Sequence, residues 1–449
     1  MSVWRCAGIG LLSSVSIVGA QPYGEAQKGT RPYRDFERPE ACRQCHVDAY
    51  SQWKGSMMGN AFTHHWDEIE YFGLAVEHAK RDPKFKDVVD GCNGCHAPLA
   101  FLAGDLPPQP PSENTRANES VSCDLCHTIS GYDETALFNF SYHSDPGRLK
   151  YGNRGGDSSP HHDLMRTDHL SVARFCANCH NEKSPWDVYV KSTYNEWLAG
   201  PYSAEGVQCQ QCHMPRAPGV RALTDTKRYD DVRQHTFQGA HAPSKTAGAI
   251  DVIVHADAEE YEIGDLAVFT VVLFNQKAGH KIPTGSVEDR LLHLHVEAID
   301  ASGRVYHLPV DRKGFEGEEY TIGSEAKAYQ DFADMIHVPD GFDGLPRDGV
   351  PAGDRIFRMP YFTEKGIMTI CQWNTASLGV DYRIGPRETK LETFTWIVPD
   401  EVEPGPVRVR AHLHYQLLVK PVADFLGVPE EESALRLIGE ASTTVSIFD

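Results

Sequence analysis

The chain has 449 residues, of which 43 are Lys or Arg and 63 are Asp or Glu, so its formal net charge is −20 at pH 7. An acidic chain of this kind lacks the basic face that binds phosphates, which excludes nucleic acid as a partner. The length favours two domains over one. Ten of the twelve cysteines lie between positions 42 and 212, and this crowding indicates chemistry rather than packing.

The first twenty residues have the pattern of a secretory signal peptide. Arg5 precedes an apolar run, and a small-residue cleavage site ends at Ala20. The run is shorter than the roughly 20 apolar residues that span a bilayer, and no later segment reaches that length. We therefore expect residues 1–20, with Cys6, to be removed, and the mature protein to be periplasmic or extracellular and not membrane-spanning.

The ten clustered cysteines form five copies of the motif Cys-x-x-Cys-His. The copies are Cys42, Cys45 and His46; Cys92, Cys95 and His96; Cys123, Cys126 and His127; Cys176, Cys179 and His180; and Cys209, Cys212 and His213. This spacing is the attachment signature of c-type haem. Two thiols three positions apart reach the two vinyl groups of one porphyrin, and the next imidazole coordinates the iron from the proximal side. The motifs predict five haem c groups.

Two other interpretations of the motifs are weaker. Zinc sites made of four cysteines would need an even number of Cys-x-x-Cys pairs, and five pairs cannot be divided in this way. Disulfides within each pair suit an exported protein, but they leave the five following histidines unexplained.

The short span between Cys42 and His213 leaves too little chain for five separate cores, so we expect the haems to contact one another and to form an electron path. The separations between successive motifs alternate long, short, long, short. This alternation predicts a duplicated unit in which two haems are joined by a short connection.

Each iron needs a sixth ligand or keeps an open position. The candidates among nearby residues are Met58, His64, His78, His162, His169, His235 and His241. For Met58, packing against neighbouring aromatic residues is the competing interpretation. His78 lies on a helical pattern over 66–79, and the seven-residue spacing of His162 and His169 predicts that both share one face of a helical segment.

After about residue 246 the pattern changes to alternating apolar and polar residues. We predict strands over 251–255, 266–274, 292–296, 393–398 and 407–415, and a short helix over 429–441. The predicted class is α+β and multidomain: a haem-binding N-terminal domain of helices and loops over 21–245, followed by an antiparallel β-sandwich over 246–449.

Two histidine pairs stand two apart on these predicted strands. They are His293 with His295, and His412 with His414. Because Leu292 and Leu294 point the other way, a polar outer sheet face is favoured over a metal site.

The motifs resemble multihaem c-type cytochromes of the cytochrome c-554-like family over residues 40–245. The resemblance includes Tyr50-x-x-Trp53 after the first motif and Tyr194-x-x-Trp197 before the fifth. It implies an electron carrier whose Trp-x-x-Ser-x-His pattern commonly supplies a distal histidine. Here that position is Met58, which leaves Met58, His64, a neighbouring histidine or an open iron for the first haem.

A second element of the resemblance lies in the C-terminal half. The segment 279–285, Gly-His-Lys-Ile-Pro-Thr-Gly, resembles a loop that accompanies haem domains in this family. The resemblance implies that His280 reaches back across the domain junction as a ligand.

The predicted function is that of an exported pentahaem electron-transfer cytochrome, which is favoured over a catalytic reductase. One alternative is an oxidoreductase whose open haem, at the first motif, acts on a small nitrogen or sulfur compound. Another is a subunit of an extracellular haem filament, which would make the chain a homo-oligomer. The acidic charge predicts redox partner proteins with basic docking surfaces.

Overall fold

The computed structural model describes residues 27–154 and 159–449, so the predicted signal peptide and Cys6 lie outside the described residues. The N-terminal half consists of short helices joined by loops. The α-helices of the described chain are Pro39–Arg43, Val47–Lys54, His65–Glu68, Val76–Arg81, Lys86–His96, Pro98–Ala103, Cys123–Thr128, Ala173–Cys176, Thr193–Leu198, Pro201–Ala204, Cys209–His213, Pro243–Thr246, Phe332–Met335, Lys420–Leu426 and Glu430–Ser433.

The helical pattern around His78 is confirmed. The helices His65–Glu68 and Val76–Arg81 are joined by a π-helical segment, Ile69–Ala75, into one continuous helical stretch. Its apolar face buries Trp66, Leu74 and other residues, because apolar positions three and four apart lie on one side of a helix.

The strands that the structure describes in the N-terminal half form four two-stranded sheets. Their strands are Ile129–Tyr132 with Tyr142–Ser144, Leu149–Gly152 with Asp163–Arg166, Glu182–Lys183 with Tyr189–Lys191, and Arg216–Gly219 with Tyr229–Arg233. These strands lie between or after the Cys-x-x-Cys-His motifs. Their pairing connects the loops that surround the motifs.

The C-terminal half is rich in strands, and two larger sheets dominate it. The large sheet has the order Glu260–Glu262, Arg436–Phe448, Gly405–Gln416, Leu291–Ile299 and Val305–His307, with Arg355–Ile356 also paired to Leu291–Ile299. The second sheet has the order Thr389–Ile397, Leu266–Asn275 and Ile250–Ala256. Short strands at Lys327–Ala328, Leu345–Pro346, Tyr361–Phe362, Met368–Thr369 and Ser377–Leu378 form two small sheets.

The two larger sheets share one apolar core. Phe269 and Val271 of the second sheet are buried in the same cluster as Leu292, Leu294 and Val409 of the large sheet. Alternate residues of each strand therefore face inward, as the period of two predicts. The α+β class is confirmed, and all five predicted strands are present. Pairing is antiparallel in these sheets except between Glu260–Glu262 and Arg436–Phe448, which are parallel.

The predicted helix over 429–441 is wrong. Only Glu430–Ser433 is helical, and the chain then forms the strand Arg436–Phe448. The Pro-Glu-Glu-Glu start does favour a helix. The run that follows is rich in Ser, Thr, Val and Ile, and these residues suit a half-buried strand, which buries Val445 and Ile447.

The N-terminal and C-terminal halves share a second core. This cluster unites Trp66, Leu74 and Phe85 with Phe332 and Val422. The helices before the second motif thus pack directly on the strand-rich half. Among the described residues, no helix combines the length and apolarity that crossing a bilayer would require.

Candidate functional site

The five Cys-x-x-Cys-His motifs lie on single helical turns or at helix ends. In the first motif, the His46 backbone N–H donates to the Cys42 carbonyl at 2.9 Å, and in the fourth His180 donates to Cys176 at 2.8 Å. A helical turn therefore brings each histidine beside its own first cysteine. In the second motif Gly94 has no tolerated substitute, because a Cβ there would lie 2.5 Å from the ring of Phe140.

All five motif histidines line one cavity of about 1980 Å³. Nine of the ten motif cysteines line it too, and Cys92 lines a smaller cavity that also contacts His96. Cavities for one small ligand measure roughly 300–1,000 Å³, so this cavity has room for several large groups.

Four of the motif histidines are oriented by a backbone carbonyl. The Nδ1 atoms lie 2.7 Å from the Arg221 oxygen for His46, 2.8 Å from Ala61 for His96, 2.7 Å from Tyr151 for His127 and 2.6 Å from Gln238 for His213. An Nδ1–H bond of this kind fixes the tautomer and leaves Nε2 with a free lone pair, which is how a metal-ligating histidine is held.

Three motif histidines face a second imidazole across the cavity. The ring centroids are 6.2 Å apart for His46 and His162, 6.4 Å for His127 and His235, and 6.3 Å for His213 and His280. The interplanar angles are 27°, 36° and 19°. The sequence prediction named all three facing residues as candidate ligands.

The spacing of these pairs fits one metal ion between two imidazoles. A metal–imidazole bond is about 2 Å long and roughly 1 Å more separates the bonded nitrogen from the ring centroid, so two imidazoles on opposite sides of one ion have centroids about 6 Å apart. The three pairs meet this requirement, and direct stacking would bring the rings closer together.

Burial favours the neutral form of two of these imidazoles, those of His213 and His235. It is the main cause that lowers the pKa of His213 to about 4, and the neighbouring His280 lowers it further. Burial and then His127 lower the pKa of His235 to about 4. A neutral imidazole is the form that binds a metal ion.

The other two motif histidines have different surroundings. Within the described ranges, no second imidazole faces His96 or His180 as in the three pairs. Burial, followed by His213 and Lys191, lowers the pKa of His180 to about 4.

A group of buried and partly buried polar side chains lines the cavity beside these two histidines. The Lys191 ammonium lies 2.6 Å from Glu182 Oε2 and also donates to the amide oxygen of Gln372. Burial and then Asp289 raise the pKa of Glu70 well above its usual value, and its Oε1 has no hydrogen-bond partner among the described residues. The sequence prediction missed these residues because none stands in a recognisable motif.

The remaining sequence candidates, apart from His169, lie either in the lining of the cavity or outside it. Met58, His64 and His241 line the cavity. His64 Nε2 lies 2.9 Å from Glu432 Oε1, and His241 Nε2 lies 3.4 Å from Glu432 Oε2, so both histidines contact one carboxylate. His78 lies outside the cavity lining, where its Nδ1 accepts a hydrogen bond from the Trp373 indole at 3.0 Å.

The predicted helical face shared by His162 and His169 is wrong. The chain there forms the strand Asp163–Arg166 and then a 3₁₀ turn, His169–Ser171. His162 faces His46, whereas His169 has both nitrogens engaged, Nε2 with the Ile129 carbonyl at 2.8 Å and Nδ1 with Thr167 Oγ1 at 2.5 Å. Seven residues span two turns of a helix but place side chains on opposite faces of a strand.

Contacts between thiols connect different motifs. The thiol of Cys42 lies near that of Cys123, and the thiol of Cys176 near that of Cys209, and in each pair the interaction raises the pKa of one thiol and lowers that of the other. The thiol of Cys95 likewise contacts that of Cys179. The first motif therefore adjoins the third, the second adjoins the fourth, and the fourth adjoins the fifth.

Comparison with known proteins agrees with this geometry. Residues 41–128 match the family described as cytochrome c554 and c-prime. No curated protein matches the chain in sequence. The fold is similar to that of a penta-heme cytochrome c552 from Thermochromatium tepidum, with 21% identity, a TM-score of 0.64, and coverage of 92% of this chain and 99% of that chain.

Two other solved structures align with less than half of this chain. A CARDB domain from Pyrococcus furiosus aligns with 44% of this chain and 87% of its own at 12% identity and a TM-score of 0.18. The sporulation control protein Spo0M from Bacillus subtilis aligns with 45% of this chain and 50% of its own at 11% identity and a TM-score of 0.17. These scores are too low to inform the fold. The family match and the fold shared with the cytochrome confirm the resemblance of this chain to multihaem c-type cytochromes.

Proposed function

We propose that the chain is an exported pentahaem c-type cytochrome that relays single electrons along a row of covalently bound haems. The observation that carries this proposal is the set of three imidazole pairs with centroids 6.2 to 6.4 Å apart in one large cavity. Haem c supplies reversible one-electron chemistry at its iron.

In this proposal the ten motif cysteines tether five haems, and His46, His96, His127, His180 and His213 are the proximal ligands. The sixth ligands of the first, third and fifth haems are His162, His235 and His280. Bis-imidazole ligation closes these irons to exogenous ligands and suits electron transfer.

The thiol contacts support a continuous relay. Because the helices that carry cysteines of the first and third motifs contact each other, as do those of the fourth and fifth, the groups that they tether have to lie side by side. The Cys126 thiol also raises the pKa of the Cys176 thiol, so the third and fourth motifs are neighbours. The proposed order is first, third, fourth and fifth haem, with the second haem beside the fourth.

The location and partners follow from sequence properties. The signal-like residues 1–20 support export to the periplasm or the cell surface, where an acidic protein attracts redox partners with basic docking surfaces. We propose that the strand-rich half, residues 246–449, acts as a scaffold that supplies His280 to the haem-binding half, residues 21–245.

The haem count and the ligation can be tested on the purified holoprotein. The pyridine haemochrome assay and the intact mass should give five haems per chain. An intact mass that corresponds to a chain beginning near Gln21 would support export. Carbon monoxide added to the reduced protein should leave the first, third and fifth haems unchanged. A count below five, or carbon monoxide binding at the first, third or fifth haem, would refute the relay as proposed.

A second candidate function is that of an oxidoreductase with an open haem at the second or fourth motif. The observation that favours it is the absence, among the described residues, of an imidazole facing His96 or His180, together with the partly buried Lys191 and the buried Glu70 nearby. Stoichiometric carbon monoxide binding at one haem, a high-spin signal, and turnover of nitrite or hydroxylamine would support this candidate. A wholly low-spin spectrum would exclude it.

A further inference from the structure

The outer face of the large sheet carries five histidines around one buried carboxylate. The pairing of Leu291–Ile299 with Gly405–Gln416 puts His293 opposite His414 and His295 opposite His412. The fifth, His307, comes from the edge strand. The strands' other face is the apolar core, so this patch is separate from the cavity of the motif histidines.

Asp354 is the centre of this patch. Its Oδ1 lies 2.8 Å from His295 Nδ1 and 3.0 Å from His307 Nε2, and its Oδ2 lies 2.9 Å from His293 Nδ1. The carboxylate is fully buried, and in the described part of the chain its ion-pair partners are these three imidazoles, with no Lys or Arg among them.

His295 and His307 converge on the carboxylate from neighbouring strands. Their rings are parallel to within 9° with centroids 4.8 Å apart, and one nitrogen of each points at the same Asp354 oxygen. The three candidate ligand atoms all lie within 4.8 Å of one another. The side chains of His295 and His307 are 23% and 31% exposed, so an ion can enter from solvent.

A polar network that served the fold alone would satisfy its buried ring nitrogens. Here His293 Nε2 and His414 Nδ1 are buried and have no hydrogen-bond partner within the described ranges. His293 is only 3% exposed, and its ring stacks on that of His414 at 5.1 Å. The patch therefore holds more donor and acceptor capacity than the protein itself uses.

We propose that His295, His307 and Asp354 bind one divalent transition-metal ion of the Zn²⁺ type. Two imidazoles and one carboxylate are a ligand set that zinc and its neighbours favour. Three protein ligands leave a fourth position to water or to a ligand from outside the chain. His293 is a positioning residue, because it holds the second carboxylate oxygen.

The charge of the patch suits a cation. A carboxyl group is ordinarily ionised at neutral pH and needs no deprotonation before it binds an ion. Glu297 Oε2, 3.9 Å from His295 Nε2, adds negative charge beside the second nitrogen of that ring.

Calorimetric titration of the haem-loaded protein with zinc chloride tests the proposal. We expect one equivalent of zinc to bind. His307→Ala or His295→Ala should weaken binding by more than about 100-fold, because the removal of a residue that only supports a ligand costs about 10- to 100-fold in affinity. The control is His255→Ala, at an exposed histidine of the second sheet, which should leave the affinity unchanged. Because both ligand histidines are partly exposed, their variants should keep the haem spectrum and the melting temperature of the wild type.

Anomalous diffraction at the zinc edge gives an independent readout that the haem irons do not obscure. A peak between His295, His307 and Asp354 is the expected result. A peak only at the cluster of His64, His241 and Glu432, or equal affinity of the His307→Ala variant and the control, would overturn the proposal. So would the absence of any binding heat at millimolar zinc.

Discussion

His213 and His280 face each other with ring centroids 6.3 Å apart and 19° between the ring planes, although they belong to different halves of the molecule. His213 ends the helix of the fifth motif, and His280 lies in the loop that follows the strand Leu266–Asn275. Asn275 holds this loop, because its side-chain amide donates to the His280 carbonyl at 3.1 Å. The strand-rich half thus completes a site that begins in the motif-bearing half.

The first prediction concerns His280. In the variant His280→Ala, we expect the fifth haem to lose its sixth ligand, so that one haem in five becomes high-spin and binds carbon monoxide after reduction. The matched control is His255→Ala, which removes an exposed histidine of the adjoining sheet. Electron paramagnetic resonance and absorption spectra check the result. An unchanged low-spin spectrum in His280→Ala would remove His280 from the ligand set.

The second prediction separates two candidates for the first haem. His162 faces His46 at 6.2 Å, whereas Met58 lines the same cavity without such a pairing. We expect His162→Ala to convert the first haem to high spin, and Met58→Leu to leave the spin state of every haem as it is in the wild type. Loss of a methionine-type near-infrared band in Met58→Leu would reverse this assignment.

The motif positions and the strands could be anticipated from sequence, for different physical reasons, whereas the imidazole pairs could not: their members were named only as candidate ligands. Cys-x-x-Cys-His is a covalent signature whose meaning does not depend on the fold. The strand-rich half shows a period of two, because one face of each strand is buried. His235, by contrast, was one of several histidines near the motifs, and only the tertiary structure puts it opposite His127.

The pairing of motifs was predicted only in part. Short connections predicted that the second motif pairs with the third and the fourth with the fifth, and the Cys176–Cys209 contact agrees with the latter. The first motif instead adjoins the third. Trp53 donates to the Val121 carbonyl and Trp197 to the Val207 carbonyl, both at 2.8 Å, so equivalent indoles join the first motif to the third and the fourth to the fifth. The repeat thus exists, but it contains the second motif as an insertion.

A third prediction concerns the support of the His280 loop. Glu196 accepts from Thr284 Oγ1 at 2.6 Å and from Lys281 N at 3.2 Å, and Arg383 Nη1 pairs with the same carboxylate at 2.6 Å. The side chains of this pair are only 2% and 5% exposed. Because Arg383→Met would leave a buried carboxylate without its partner, we expect the free energy of unfolding to fall by about 3–5 kcal/mol.

Chemical denaturation followed by circular dichroism measures this loss. The matched control is Arg387→Met, which breaks the exposed pair with Glu205 and should change stability far less. We also expect Arg383→Met, and not the control, to raise the high-spin fraction at the fifth haem. Equal stabilities of the two variants would show that the buried pair does not hold the loop.

The fourth prediction is a pH dependence of stability that arises at Asp331. Burial raises the pKa of this carboxyl to about 6, although Thr369 and Asn374 donate to its Oδ2 at 2.6 and 3.0 Å. Its Oδ1 is buried and has no partner in the described part of the chain. In the unfolded chain the carboxyl ionises near pH 3.9. The native state therefore holds the proton of Asp331 more tightly than the unfolded chain does. The stabilisation that comes from this proton is present below about pH 4 and is lost as the pH rises through about 6.

The variant Asp331→Asn keeps an oxygen acceptor but cannot ionise. Relative to the wild type, its free energy of unfolding should rise by about 2 kcal/mol between pH 4 and pH 7, which is most of the energy that a shift of about two pKa units corresponds to. Denaturation of both proteins at a series of pH values measures the difference. Asp334→Asn, which removes a half-exposed carboxylate of the same segment, should show no comparable trend. A difference between Asp331→Asn and the wild type that stays constant with pH would mean that Asp331 is not the source, because only a group whose proton affinity changes on folding can produce the slope.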